Sequence, residues 1–412
     1  MPAGSPVTRT RSLRLLLLLF ALGAALFFYT THKPPAREAL LIQGFAELPE
    51  VVPPEGELLE AFKEARPATV QIEIGSSAFA FADTPLGVGT GFFISPDGLL
   101  LTAYHVVDPA PDFPGEAFFE ALSPGGERYA LELVGFDAYR DLALLQAADA
   151  ENVPYLPLTD ETPVVGSEVV AIGNSRGDFL QGRAGEVRRL DVRAVQISFA
   201  DGTFELSSAL APGDSGGPVV SEAGEVLGVV SYIAFAPRAT SSVPEPGLFS
   251  LLRTVPSGDG YAAYAVPVAA DDDALDALRR GEQQDIPVIG FSVGIQGLRG
   301  DYDPRYQSEA WLGPRPGVVV GPLQPGGPAE QAGLRSAVQR QVYDSSGVFQ
   351  GVQTRADVIV AVDGERTPTF EVLLGVLRRK QIGQEVEVEV QRGEERLQLK
   401  LELGGKRAVF GG

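Results

Sequence analysis

From residue 69 to residue 267 the chain is cut into short apolar runs, at 69–74, 89–94, 99–103, 129–134, 143–145, 168–172, 193–197, 218–220, 226–233 and 261–267, with turn residues between them. Runs of this length are too short for stable helices. Many short strands with few helices predict a barrel or sandwich. Helical spacing appears at 57–66, where Leu58, Leu59, Phe62 and Ala65 recur on one face and Pro67 ends the pattern. The polar, proline-rich stretch 237–260 reads as a loop inserted before the strand 261–267. A second helix opens on Asp271-Asp-Asp273 and closes on Arg279-Arg280-Gly281, with acids and bases placed as the helix dipole favours. It ends a first unit, 57–281, and 282–285 reads as a hinge.

A second β-rich unit, 282–405, follows. Strands are predicted at 288–293, 317–321, 357–362, 385–391 and 396–403, and helical pieces at 329–332 and 371–379. The polar stretch 336–355 reads as a loop.

At the other end, Arg9, Arg11 and Arg14 precede an uncharged apolar run, 15–29. With its flanking residues this run is long enough for a membrane anchor, and the arginines orient the remainder of the chain outward. Residues 1–31 are therefore expected to be a cytoplasmic stub and single-pass anchor, or a signal peptide cleaved near Ala21, Gly23 or Ala25. Either leaves the bulk of the chain outside the cytoplasm. Residues 32–56 read as a proline-containing linker in which His32 is a bystander.

A formal net charge of −21 argues against a nucleic-acid partner. The chain has no cysteine, which excludes disulfides, thiolate metal sites and a cysteine nucleophile. His32 and His105 are its two histidines, too few for a multi-histidine metal site, so neither metal nor cofactor is expected.

Chemistry concentrates at Ala211-Pro-Gly-Asp-Ser-Gly-Gly-Pro218. Taken alone this is a turn containing a serine. Its glycines also permit a sharp turn in which the Gly213 and Ser215 amides point the same way, as an oxyanion hole requires. His105 follows the apolar run 99–104, and Asp141 opens the run 142–145. An aspartate there can orient an imidazole that serves Ser215 as base.

The segments Thr102-Ala-Tyr-His105, Asp141-Leu-Ala-Leu-Leu145, Ala171-Ile-Gly-Asn174 and Pro212-Gly-Asp-Ser-Gly-Gly-Pro218 resemble the trypsin-like serine proteases, and more narrowly the HtrA (Deg) family. The resemblance covers 57–281 and implies a trypsin-like double β-barrel with the active site between its barrels. His105, Asp141 and Ser215 would be the triad, and Gly213, Asp214 and Ser215 the oxyanion hole. Ala209 would lie at the base of a substrate pocket with Leu210, Tyr232 and Ile233 nearby. Without an acid at its base, this pocket would favour cleavage after small or medium apolar residues. Pro287-Val-Ile-Gly-Phe291, 317–320, 328–334 and 357–364 resemble a PDZ domain, with Val288, Ile289, Gly290 and Phe291 as its carboxylate-binding loop.

One anchor, one protease domain and one PDZ domain look like the membrane-anchored branch of the family. That implies a homotrimeric envelope protease for unfolded or misfolded polypeptides, with peptide C-termini bound at the PDZ domain. The alternative is a proteolytically inactive PDZ-bearing chaperone or adaptor. Asp214 departs from the family's usual asparagine, 205–211 lacks its common Thr-Asp pair, and Ala356-Asp357 stands where Gly-Asp is usual.

Overall fold

Alternation of inward and outward side chains builds the first sheet in a computed structural model that describes residues 48–76, 85–108, 117–192, 202–235, 261–293, 300–305 and 311–410. Strands β1 (Thr69–Ser76), β2 (Gly87–Phe93), β3 (Leu99–Ala103), β4 (Ala117–Leu122), β5 (Arg128–Asp137) and β6 (Leu142–Ala147) lie in the order β5-β4-β1-β2-β3-β6, and a β5–β6 pairing closes the ring. Val70, Ile72, Phe93, Leu100, Phe136 and Leu145 fill it.

A second closed barrel is formed by β7 (Glu168–Gly173), β8 (Gln181–Val192), β9 (Thr203–Leu206), β10 (Pro218–Ser221), β11 (Val226–Phe235) and β12 (Tyr261–Pro267), in the order β10-β11-β12-β9-β8-β7. Closure leaves neither barrel with a free edge. The Gly56–Ala65 helix buries Leu58, Ala61 and Ala65 in one cluster with Leu101 and Leu142 of the first barrel and Val170 and Ile172 of the second. This apolar seam joins the barrels and gives the expected double-barrel architecture.

Three expectations change. Strands β4, β8 and β9 are not among the expected ones; β8 carries Arg183, Glu186, Arg188, Arg189 and Asp191 among few apolar residues, so no apolar run marks it. The segment 282–285 is not a free hinge: Gln283–Gln284 forms β13, parallel to β5 at Phe136 and Asp137. The stretch 336–355 is not a loop but a hairpin, as described below. The anchor over 1–31, most of the linker, the strand 193–197 and the loop 237–260 lie outside the described residues. Among the described residues no helix is long and apolar enough to cross a membrane.

The second unit contains β14 (Pro287–Val288), β15 (Phe291–Val293), β16 (Asp301–Tyr302), β17 (Gly317–Leu323), β18 (Val338–Tyr343), β19 (Phe349–Arg355), β20 (Val358–Val362), β21 (Glu365–Arg366), β22 (Glu385–Arg392), β23 (Glu395–Glu402) and β24 (Gly404–Gly405). Its main sheet runs β15-β17-β20-β22-β23, with β15 at one edge. The Phe370–Arg378 helix packs Leu373, Val376 and Leu377 onto Val318, Ile359 and Val388. Strands β18 and β19 pair with each other as a separate hairpin. Its turn is set by Asp344, whose carboxylate accepts the Ser346 and Val348 amides at 2.8 and 3.0 Å. Both faces of the hairpin are largely exposed, so polar residues alternate with Val342 and Val352 and the strands read as a loop.

Candidate active site

The first barrel carries two of the three triad candidates. Strand β3 ends at Ala103 and continues into a four-residue helix, Tyr104–Val107, which presents His105. Asp141 precedes β6 with φ +56°, a left-handed conformation that an aspartate tolerates better than most residues. That geometry lets its carbonyl accept the Tyr104 amide at 3.0 Å while its carboxylate accepts the His105 backbone amide at 2.9 Å. The same carboxylate lies 2.8 Å from His105 Nδ1 and accepts the Ser231 hydroxyl at 2.5 Å. The contact assigns the ring proton to Nδ1, leaving Nε2 unprotonated in the neutral ring.

The charges follow from this arrangement. Asp141 is buried, which by itself raises a carboxyl's pKa. The charge and hydrogen bonds of His105, with the bond from Ser231, outweigh burial and hold Asp141 below the usual carboxylate range. For His105, whose side chain stays 44% exposed, the loss of water on its packed side favours the neutral ring. The charge and hydrogen bond of Asp141 and the charge of Asp108 oppose this, and the net direction is upward despite Lys406.

The second barrel supplies the nucleophile candidate. Ser215 sits in the turn before β10, and its hydroxyl donates to the Ser231 carbonyl at 3.4 Å rather than to His105. Gly213 has φ +110° and Gly216 φ +85°. A Cβ at Gly216 would collide with Thr102 Oγ1 and the Thr90 carbonyl, so the first barrel requires a glycine there. Thr90 secures the turn from that barrel: its hydroxyl donates to the Gly213 carbonyl at 2.7 Å and its amide to the Ser215 carbonyl at 2.8 Å. The Gly213 and Ser215 amides donate to no acceptor among the described residues. Asp214 corrects the expectation of a third oxyanion donor, because its amide is committed to the Ala211 carbonyl at 3.1 Å.

Asp214 has a different role. Its carboxylate is fully buried and accepts the Ser175 and Ala211 amides, each at 2.9 Å. Arg183 of β8, equally buried, lies 3.4 Å away. Neither Arg183 nor Thr90 was marked by the sequence: the first lies in the unread strand, and the second is an ordinary strand threonine. Arg183→Met would leave a buried carboxylate without its cation. Urea unfolding should show a loss of about 3–5 kcal/mol, largely recovered in Arg183→Met/Asp214→Asn. Equal midpoints for wild type and the single variant would exclude a stabilising pair.

The pocket candidates diverge. Leu210 is enclosed in the second-barrel core, and Tyr232 stacks on Tyr264 at 4.6 Å, both with almost no exposure. Neither lines an open cleft. Ala209 is also buried, and Ile233 is partly open while packing against the barrel core.

In the second unit, Val288 pairs with Gly404, and Ile289 and Phe291 join the core. Gly290 has φ +90° and breaks the single strand expected over 288–293. The Ile289 and Gly290 carbonyls accept the Ala329 and Gln324 amides, whereas their own amides have no acceptor among the described residues. Such a turn beside an edge strand can receive a carboxylate.

Two family models match the chain: a trypsin-like peptidase domain over residues 89–229 and a PDZ domain over 287–403. A protein of Halomonas elongata named as a DegP-like periplasmic serine endoprotease is 28% identical over 339 residues, covering 81% of this chain and 60% of the relative. The chain therefore spans well under two thirds of that protein. The chloroplastic Protease Do-like 1 of Arabidopsis thaliana is 27% identical over 356 residues, covering 84% of this chain and 71% of that one. The crystal structure of the serine endoprotease from Yersinia pestis aligns over 85% of this chain and 98% of that chain, at 21% identity and a TM-score of 0.42.

Proposed function

We propose that this chain, which belongs to the HtrA family by its trypsin-like peptidase domain and single PDZ domain, is an envelope serine endopeptidase acting outside the cytoplasm. The observation that carries this reading is the Asp141–His105 pair, linked through Ser231 to a serine turn whose Gly213 and Ser215 amides have no acceptor among the described residues. In the proposed reaction Ser215 Oγ attacks the scissile carbonyl and passes its proton to His105 Nε2. The tetrahedral oxyanion is held by the Gly213 and Ser215 amides, at about 3–4 kcal/mol per donor. His105 then protonates the leaving amine, Asp141 stabilises the imidazolium, and water repeats the sequence on the acyl-enzyme. The resting Ser215–Ser231 hydrogen bond must break first. Catalytic hydrogen bonds often tighten only when substrate arrives.

Substrates in this reading are unfolded or misfolded polypeptides, cut after small or medium apolar residues because Ala209 offers no counter-charge for Lys or Arg. Leu210 and Tyr232 would have to move for a deep pocket to open. Free C-termini would dock at Val288–Phe291 and β15, residues 1–31 would hold the protein at the membrane, and the assembly would be a homotrimer.

Aryl phosphonates carrying a valine-like or a lysine-like side chain test the reading. The valine-like reagent should label Ser215 alone, and the lysine-like one should react at least tenfold more slowly. No label at Ser215 would favour the inactive adaptor, and preferential reaction with the lysine reagent would overturn the pocket assignment.

A further inference from the structure

The final helix of the second unit, Lys406–Phe410, returns to the part of the first barrel that carries His105. Lys406 Nζ pairs with the Asp108 carboxylate, immediately beyond the His105 helix. Tyr104, immediately before His105, donates its hydroxyl to Asp108 at 3.2 Å and stacks on Phe136 at 4.4 Å with an interplanar angle of 9°. The Arg407 guanidinium lies 5.2 Å from the centroid of Phe136. Backbone bonds seat the segment: the Lys406 amide donates to the Ile286 carbonyl at 3.0 Å and the Arg407 amide to Asp285 at 2.9 Å. Tyr104 just before His105 and Asp108 just after its helix are thus tied, through one ring or directly, to neighbouring bases about three hundred residues later in the chain.

We propose that Lys406 is a positioning residue for the catalytic base: by holding Asp108 it fixes the helix that carries His105 and neutralises a second carboxylate at the end of that helix. The reasoning is electrostatic as well as steric. The charged groups acting on His105 are Asp141 from the turn before β6, Asp108 at the end of its own helix and Lys406 from the terminal helix. Asp108 favours the imidazolium and Lys406 opposes it. Unopposed, Asp108 would keep the base protonated to higher pH and shrink the fraction of active enzyme near neutrality. The Lys406–Asp108 pair is partly buried and less screened than an exposed pair.

With two histidines in the chain, histidine-selective isotope labelling of the full-length protein gives two titrating rings, and His32→Gln identifies them. Lys406→Met should raise the His105 midpoint by roughly half a pH unit, and Asp108→Asn should lower it by a similar amount. Lys406→Met/Asp108→Asn should return it to the wild-type value. The acid limb of kcat/KM should move with the ring in each variant. A role confined to holding the fold would not shift the midpoint in opposite directions. An unchanged His105 midpoint in Lys406→Met overturns the proposal. This role presupposes His105 as the base, yet the two ideas fail separately: absence of Ser215 labelling removes the catalytic reading, whereas the ring titration judges Lys406 without requiring turnover.

Discussion

Ser215→Ala is expected to lower kcat by about 10⁶-fold, the scale on which serine proteases lose activity when the nucleophile is removed. The fold should be unaffected. Ser215 is partly open, and its hydroxyl makes a long bond of 3.4 Å to a carbonyl that is not otherwise dependent on it. The turn is held from elsewhere, by Thr90, by the Asp214 carboxylate and by Arg183. Turnover of a reduced, unfolded protein substrate, measured beside the thermal melt, separates the two effects. Activity within tenfold of wild type would remove Ser215 from the mechanism.

Asp141→Asn should cost about 10⁴-fold in kcat with little change in stability. Asparagine tolerates the left-handed backbone at this position. Its side chain cannot accept from His105 Nδ1, the His105 amide and Ser231 as the carboxylate does, and its amide nitrogen would push the imidazole proton onto Nε2. A base protonated on the nitrogen facing Ser215 cannot accept the serine proton. The pH dependence gives an independent sign. His105 must be neutral to act, and Asp141 raises its pKa, so wild-type activity should fall as pH drops through a value above the ordinary histidine range. Removing the carboxylate lowers that pKa, and the residual activity of Asp141→Asn should persist to lower pH. An acid limb that stays in place or moves upward would contradict the assigned role of Asp141.

The triad candidates were legible because each borders an apolar run: His105 after β3, Asp141 before β6 and Ser215 before β10. Strand ends are where a side chain can be exposed on a rigid support. The groups that support the triad were not legible in the same way. Ser231 lies within a strand and differs from other strand serines only by facing Asp141 across 90 positions of sequence. Arg183 would ordinarily be placed on a surface, yet it is fully buried because Asp214 is buried beside it. This pairing also gives a physical reason for the aspartate at position 214.

By itself the sequence determined the double barrel with its following PDZ unit and the order of the candidate triad residues. Local propensity, turn residues and short motifs carry that information within a few positions of one another. Tertiary structure alone decided that the Asp214 amide of the Ser215 turn is spent on the Ala211 carbonyl. It also decided that Leu210 and Tyr232 belong to the core, that 282–285 extends the first sheet and that Lys406 reaches Asp108. Each of these depends on which distant backbone or charge arrives alongside. Hydrogen bonds and ion pairs act over a few ångströms of space, however far apart their partners lie in sequence.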